Sequence, residues 1–265
     1  MIDSSLVAAL IRRTAEAVIL PRFRALAPDQ IREKKPGDLV TIADTEAEAM
    51  LARLLTEADP GTVVCGEEGV ARDRATLDLL DRAAPVWVLD PVDGTANFAH
   101  GRVGFAVIVA RVENGVTTAG WIHDPLENVT VHAVRGGGAW CGDRRLEVRH
   151  GLPLAALTGS AYGRLDARGG DAGRRLTASG TVAGIRNTGC GGLDYILMAR
   201  GETHFKFSSA SLPWDHAAGI LIMREAGAAA RFLDGDPYDV HLHDRHILIA
   251  PDEAAWEGLR TALAA

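Results

Sequence analysis

Carboxylates follow an apolar run in this sequence, and their spacing suits a hard metal ion. The run 86–89 ends at Asp90, and Asp93 stands three residues later, with Pro91 between them and Gly94 after them. Two crowded carboxylates repel each other, and a divalent cation such as Mg²⁺ relieves the repulsion because it prefers oxygen ligands. The segment therefore predicts a metal-binding turn, although one Asp-Pro pair alone is more typical of a surface turn.

Further acidic residues stand at the ends of other predicted elements. Glu67 follows a short β-branched run, a placement like that of Asp90 after its own run. Asp215 precedes a helix predicted over 217–226, where an aspartate is a good N-cap whose second oxygen can reach a cation. Asp44 opens another predicted helix and on its own would be only a cap. These acids are the candidates for a polar site.

Gly94 and the residues after it suit a phosphate group. Glycine permits a tight turn and the close approach of the backbone to a ligand. Residues 95–98 can open a helix, whose first N–H groups lack intrahelical partners and attract anions. Metal ions beside a phosphate would neutralise its charge and lower the pKa of a bound water.

The composition is ordinary for a globular protein and disfavours several partners. The 265 residues are 47% hydrophobic and 24% charged, with a formal net charge of −7. This acidic balance disfavours nucleic acid and anionic membrane as partners. The start lacks the pattern of a signal peptide, and no stretch approaches the roughly 20 apolar residues of a membrane span. With three scattered cysteines, these features predict a soluble, cytoplasmic protein.

Helical and strand patterns alternate along the chain without the strict rhythm of a dinucleotide-binding fold. The predicted helices cover 4–26, 42–58, 193–200, 217–226 and the C-terminus, and the predicted strands cover 62–65, 85–89, 103–111, 116–122, 129–134, 153–163 and 246–250. The stretch 33–38 is expected to be a polar link. This order predicts a layered α/β sandwich. We expect an N-terminal α+β half, 1–150, with most metal ligands, and a C-terminal α/β half, 151–265, that completes the site.

Five segments together resemble the inositol monophosphatase family of lithium-sensitive, Mg²⁺-dependent phosphatases. They are DLVTIAD (38–44), GEEG (66–69), WVLDPVDGTANFAHG (87–101), GLDYILMARG (192–201) and PWDHAAG (213–219). The resemblance implies an αβαβα sandwich of the sugar-phosphatase type, commonly a homodimer. It also implies a phosphoric monoester hydrolase that acts on a small phosphorylated metabolite, with two or three Mg²⁺ ions in each site.

The same resemblance assigns metal ligands. Glu67, Asp90 and the backbone carbonyl of Val92 would hold the first ion. Asp90, Asp93 and Asp215 would hold the second, and a weaker third ion would use Glu67 and water.

The resemblance also assigns catalytic and substrate-binding roles. Thr95, paired with Asp44, would position and deprotonate the attacking water. The backbone amides of Gly94 and Thr95 would hold the phosphate. The residues expected to take part in catalysis are Asp44, Glu67, Asp90, Asp93 and Thr95. The residues expected to contact the substrate are Asp93, Gly94, Thr95, Gly191 and Asp215.

The substrate is less well defined than the reaction. Ser208 stands where the family usually has a glutamate that contacts inositol hydroxyls. Inositol monophosphate leads, while histidinol phosphate, fructose 1,6-bisphosphate, a nucleotide 3′-phosphate and NADP stay open. Lys206 is expected to be solvated. An aspartate-nucleophile phosphatase fails on spacing, because Pro91 stands two residues before Asp93, and a non-catalytic regulatory protein on this scaffold is the alternative of another class.

Overall fold

The structure, a computed structural model, describes residues 3–165 and 170–264. Helices and strands alternate along these residues and stack as an αβαβα sandwich. The helices are α1 (Ser4–Thr14), α2 (Ile42–Ala58), α3 (Glu67–Arg72), α4 (Thr95–Ala99), α5 (Ala172–Ala178), α6 (Gly191–Ala199), α7 (Pro213–Glu225) and α8 (Glu253–Ala264). The strands are β1 (Ile31–Lys35), β2 (Asp38–Thr41), β3 (Val63–Gly66), β4 (Val86–Asp93), β5 (Ala106–Glu113), β6 (Val116–Asp124), β7 (Val129–Val134), β8 (Ala139–Cys141), β9 (Arg144–Leu146), β10 (Thr158–Tyr162), β11 (Gly184–Ile185), β12 (Phe205–Ser208), β13 (Ala229–Phe232) and β14 (Ile247–Ala250).

The larger sheet contains β4, the strand that leads into the acidic turn. Its order is β3-β4-β5-β6-β7-β8-β9, with β3 parallel to β4 and each later pair antiparallel. On one face, Trp87 packs in a core with Ile11 of α1 and Leu51 of α2. On the other face, Val88 packs in the core that contains α6 and α7. A strand covered on both faces needs a continuous apolar run, which the residues before Asp90 provide.

Helices α6 and α7 form the layer between the two sheets. One core joins Ile122 of the larger sheet to Ile196 of α6, Ile220 of α7 and Ile249 of the smaller sheet. Both helices come from the second half of the chain, yet they pack on strands from the first half. The middle layer therefore carries Asp215, at the start of α7, towards the end of β4.

The smaller sheet has the order β11-β10-β12-β14-β13. Strand β10 is parallel to β11 and β12, whereas β14 runs antiparallel to β12 and β13. Its outer face packs Phe205 and Phe207 against Leu176 of α5 and Trp256 of α8. Because side chains alternate along a strand, Lys206 faces the opposite side, towards α6. The predicted layered sandwich is thus confirmed.

Several predicted boundaries were wrong. The stretch 33–38, expected to be a link, belongs to the antiparallel hairpin of β1 and β2, where backbone pairing tolerates exposed charged side chains. The first α-helix ends at Thr14, and π-helical and 3₁₀ turns follow, because Pro21 has no N–H to continue the ladder. The helix predicted over 217–226 already begins at Pro213, whose fixed φ suits a first helical position.

The division at residue 150 remains a proposal. The larger sheet is built from strands before that position and the smaller sheet from strands after it. Among the residues that the structure describes, no helix combines the length and apolar character needed to traverse a bilayer.

Gly120 allows α7 to lie close against the larger sheet. A Cβ at Gly120 would stand 2.7 Å from the Cα of Ala218, a backbone atom that cannot rotate away. We expect Gly120→Ala to lower the free energy of unfolding by about 1–3 kcal/mol, the usual cost of overpacking. Gly184→Ala is the matched control, because a Cβ there meets nothing within 4 Å. Urea unfolding of both variants measures the difference, and equal stabilities would contradict the close packing.

Candidate active site

Strand β4 ends in a bulge that presents Asp90 and Asp93. The pairing of β4 with β5 shifts by one residue between these two aspartates, so the ladder is interrupted where the carboxylates stand. The Asp90 carboxylate is 2% exposed and its Oδ1 accepts a hydrogen bond of 3.1 Å from the Val92 amide. Gly94 then turns the chain with φ +85°, and a Cβ there would lie 2.6 Å from the carbonyl oxygen of Gly104. Only glycine fits this turn without strain.

Asp44 joins the start of α2 to the start of α4. Its Oδ2 accepts hydrogen bonds from the Thr41 amide, at 2.8 Å, and from the Thr41 hydroxyl, at 2.5 Å. Its Oδ1 accepts one from the Thr95 hydroxyl, at 3.1 Å, which also lies 2.9 Å from the carbonyl oxygen of Val92. Burial raises the pKa of Asp44 to about 7, against the opposing effect of the Thr41 hydrogen bonds. A carboxylate with that pKa is suited to exchanging protons near neutrality.

Glu67 lies at the start of α3 and is paired with a lysine from the β1–β2 hairpin. The Lys34 ammonium donates to Oε1 of Glu67 at 2.6 Å and to Oε1 of Glu68 at 3.0 Å. Burial raises the pKa of Glu67, and the ammonium of Lys34 opposes that shift. Glu48 accepts a hydrogen bond from the Glu68 amide and so fixes the start of the helix. The hairpin thus places a positively charged side chain beside the acidic residues, a feature that sequence reasoning missed.

Asp93 faces the N-terminus of α6. Its Oδ2 accepts hydrogen bonds from the Cys190 thiol, at 3.0 Å, and from the Gly192 amide, at 2.5 Å. Burial raises the pKa of Asp93, while these two donors and the charge of Lys206 act in the opposite direction. Burial and the neighbouring Asp93 raise the pKa of Cys190, which therefore stays a protonated donor. Gly191 lies beside the same carboxylate: a Cβ atom added there would be 3.7 Å from Oδ2 of Asp93.

Asp215 occupies the first turn of α7 and does not cap the helix. The N-cap is Leu212, which makes no side-chain cap bond, so the predicted capping role was wrong. The start at Pro213 places Asp215 inside the first turn of the helix, within electrostatic reach of Asp93 and Glu67. Burial, followed by the charges of Asp93 and Glu67, raises its pKa well above the usual range.

The structure brings the predicted acids into one electrostatic neighbourhood. The pKa of Asp90 is raised well above normal by burial and then by Glu67, Asp93, Asp215 and Asp44, in that order. These carboxylates, buried at Asp44 and Asp90 and half-buried at the other three, repel one another and offer hard oxygen donors, so they fit divalent cations such as Mg²⁺. Over residues 3–165 and 170–264, however, no three acidic, histidine or cysteine side chains meet at a single metal-binding point. Several of the carboxylate oxygens instead accept hydrogen bonds from groups of the protein, including the Lys34 ammonium.

Lys206 is buried, so the prediction that it is solvated was wrong. The residue is 1% exposed, and its Nζ donates to Oδ2 of Asp194 at 3.1 Å. It stands on β12, between two phenylalanines that pack on the other face of the sheet. A lysine between apolar residues in a short buried run was the sequence signal for this placement.

Known proteins share both the sequence and the fold. Residues 4–264 match the inositol monophosphatase family. A fructose-1,6-bisphosphatase/inositol-1-monophosphatase of Thermotoga maritima is 32% identical over 205 residues, 77% of this chain and 75% of that protein. An inositol-1-monophosphatase of Mesorhizobium japonicum is 35% identical over 209 residues, 78% of this chain and 76% of that protein. The structure of inositol monophosphatase-II from Staphylococcus aureus covers 98% of this chain and 92% of its own, with a TM-score of 0.81 and 25% identity.

A match of this extent, on a fold with buried acids beside a glycine turn, defines the class: the protein is a phosphoric monoester hydrolase. The chain belongs to the inositol monophosphatase family. The family and the enzyme class expected from the sequence motifs are therefore confirmed.

Proposed function

We propose that this phosphatase is Mg²⁺-dependent and hydrolyses inositol monophosphate by direct attack of water. The observation that carries the proposal is the group of mutually repelling carboxylates around the buried Asp90, beside the hydrogen-bonded pair of Asp44 and Thr95. Glu67, Asp90, Asp93, Asp215 and the Val92 carbonyl are the proposed ligands of two or three Mg²⁺ ions. Bound ions supply charge neutralisation of the phosphate and a lowered pKa of water.

The protein's own groups orient the reaction. The Thr95 hydroxyl has one proton and two acceptors within reach, Oδ1 of Asp44 and the Val92 carbonyl. Asp44 therefore holds the hydroxyl so that one of its lone pairs faces the site, where it can accept a proton from water. The backbone amides of Gly94 and Thr95 are the proposed donors to the phosphate, and Gly94 has no side chain that would keep a ligand away from its backbone. We propose that Gly191 leaves room beside Asp93 for the substrate.

Asp44→Asn tests the proton-transfer role. An asparagine keeps the shape and can still accept the Thr41 hydrogen bonds, but it cannot take up a proton. We expect kcat for p-nitrophenyl phosphate with Mg²⁺ to fall by roughly 10²–10⁴-fold, the range of general acid–base contributions. Glu57→Gln, on the exposed end of the same helix, is the control and should retain full activity. A D44N enzyme as active as that control would remove Asp44 from the mechanism.

Inositol monophosphate is the leading substrate and fructose 1,6-bisphosphate the second candidate. The M. japonicum relative carries the first activity in its name, and the T. maritima relative carries both. Ser208 is 9% exposed and its hydroxyl donates to the Ala210 carbonyl, so it offers less to a polyol than a carboxylate would. Comparing kcat/KM for the two substrates, with histidinol phosphate and NADP as further members of the panel, identifies the preference.

We also propose a cytoplasmic homodimer that is inhibited by Li⁺. The three cysteines are all free, which suits a reducing compartment. Light scattering of the purified protein measures the oligomeric state, and full activity in millimolar Li⁺ would contradict the proposed inhibition.

A further inference from the structure

Lys206 and Asp194 form a buried ion pair in the middle of the molecule. Both side chains are 2% exposed, and 3.1 Å separates their charged atoms. The ammonium also lies 5.0 Å from the ring centre of Tyr162 and 5.1 Å from that of Tyr195, so aromatic faces complete its surroundings. Burying two charges usually costs more than their attraction returns, so such a pair is weak as a device for stability alone.

The ammonium lies next to the acidic site. A Cβ atom added to Gly191 would lie 3.8 Å from Nζ of Lys206 and 3.7 Å from Oδ2 of Asp93. The distance between Nζ of Lys206 and Oδ2 of Asp93 therefore cannot exceed the sum of these two distances. Its charge also acts on Asp215, the other acid proposed for the same ion. His216, which packs nearby, has its pKa lowered to about 3 by burial and then by Lys206, so it adds no charge.

We propose that Lys206 is a positioning residue whose ammonium sets the Mg²⁺ affinity of the Asp93 and Asp215 side of the site, with Asp194 as its counter-charge. The inference rests on the proposed Mg²⁺ dependence. The ammonium offsets the repulsion between Asp93 and Asp215. Its positive charge also reduces the electrostatic attraction of these carboxylates for a divalent cation. Because the charge of Lys206 acts on both Asp93 and Asp215, its ammonium weakens binding of the cation and favours release of the ion.

Three variants separate this electrostatic role from simple structural support. Lys206→Met keeps the length of the side chain and removes its charge, and Asp194→Asn leaves the ammonium uncompensated. We expect the Kd for Mg²⁺ to fall about tenfold in K206M and to rise about tenfold in D194N, because charges a few ångströms apart interact strongly at low dielectric. Arg53→Met, in the exposed pair of Arg53 with Glu57, is the control and should leave the Kd unchanged.

Calorimetric titration of metal-free protein with Mg²⁺ measures these constants, and melting in EDTA shows that each variant is folded. Shifts in opposite directions support the proposal. Shifts in the same direction, or shifts within twofold of wild type, overturn it. If K206M does not fold, a D194N protein with wild-type affinity overturns the proposal by itself. A wild-type protein that binds no Mg²⁺ overturns both this inference and the proposed function, whereas Mg²⁺ binding with unshifted variants overturns only the inference.

Discussion

Asparagine at position 90 is expected to lower catalytic efficiency strongly while making the metal-free protein more stable. Asp90 is buried beside other carboxylates, and that environment opposes its charge. An asparagine Oδ1 can still accept the hydrogen bond from Val92, so the turn keeps its shape. Loss of a residue proposed to hold both ions should lower kcat/KM by roughly 10³-fold or more, comparable to removing a main electrostatic contribution. Relief of buried repulsion should raise the free energy of unfolding by about 1–3 kcal/mol.

Activity and stability are expected to change in opposite directions, which distinguishes loss of a metal ligand from damage to the fold. A variant that merely damages the fold loses activity and stability together, whereas D90N should lose only activity. The measurements are phosphate release with Mg²⁺ and thermal unfolding in EDTA. Asp78→Asn, an exposed aspartate, is the control and should change neither quantity. A D90N protein that is less stable than wild type without metal would show that Asp90 contributes structural hydrogen bonds that outweigh its repulsion.

The metal-free protein is expected to lose stability as the pH rises above about 6.5. Burial raises the pKa of Asp90, Asp93 and Asp215 in the folded state, and it raises that of Asp44 to about 7. The unfolded chain has already released these protons near pH 4, so the folded state holds more protons until the pH passes its own pKa values. Stability is therefore present at lower pH and decreases as these groups are forced to ionise. The expected loss is on the order of a few kcal/mol.

Magnesium should remove most of this dependence, because ionised carboxylates that bind a cation no longer destabilise the fold. The increase in Tm produced by Mg²⁺ should accordingly grow with pH. The range begins at 6.5 because buried histidines act in the opposite direction below it: burial lowers the pKa of His123 to about 4 and that of His216 to about 3. Melting curves at several pH values, in EDTA and in Mg²⁺, measure both effects. A metal-free stability that rises across this range would contradict the raised pKa values, and D90N should show a shallower slope than wild type.

Local patterns in the sequence were sufficient for much of the fold. The apolar run before Asp90 predicted a strand, and the structure has β4 there, covered on both faces. The spacing of apolar residues over 42–58 predicted α2 with its observed bounds, and the strands predicted over 103–111 and 116–122 are present as the paired strands β5 and β6. These features depend on periodicity and turn residues within a few positions of one another. Strands β12 and β13 were not predicted, since a charged residue, Lys206 or Arg231, interrupts the apolar run of each.

The sequence alone determined which side chains are available for the chemistry: the acids, the glycine turn and the threonine that follows it. Only the tertiary structure decided their charge environment. Lys34 reaches Glu67 through a hairpin that had no strand signal, and Lys206 meets Asp194 and the neighbourhood of Asp93 because α6 is sandwiched between two sheets. The physical reason is that burial and Coulomb interactions depend on distances between layers, which no spacing along one segment of the chain can specify.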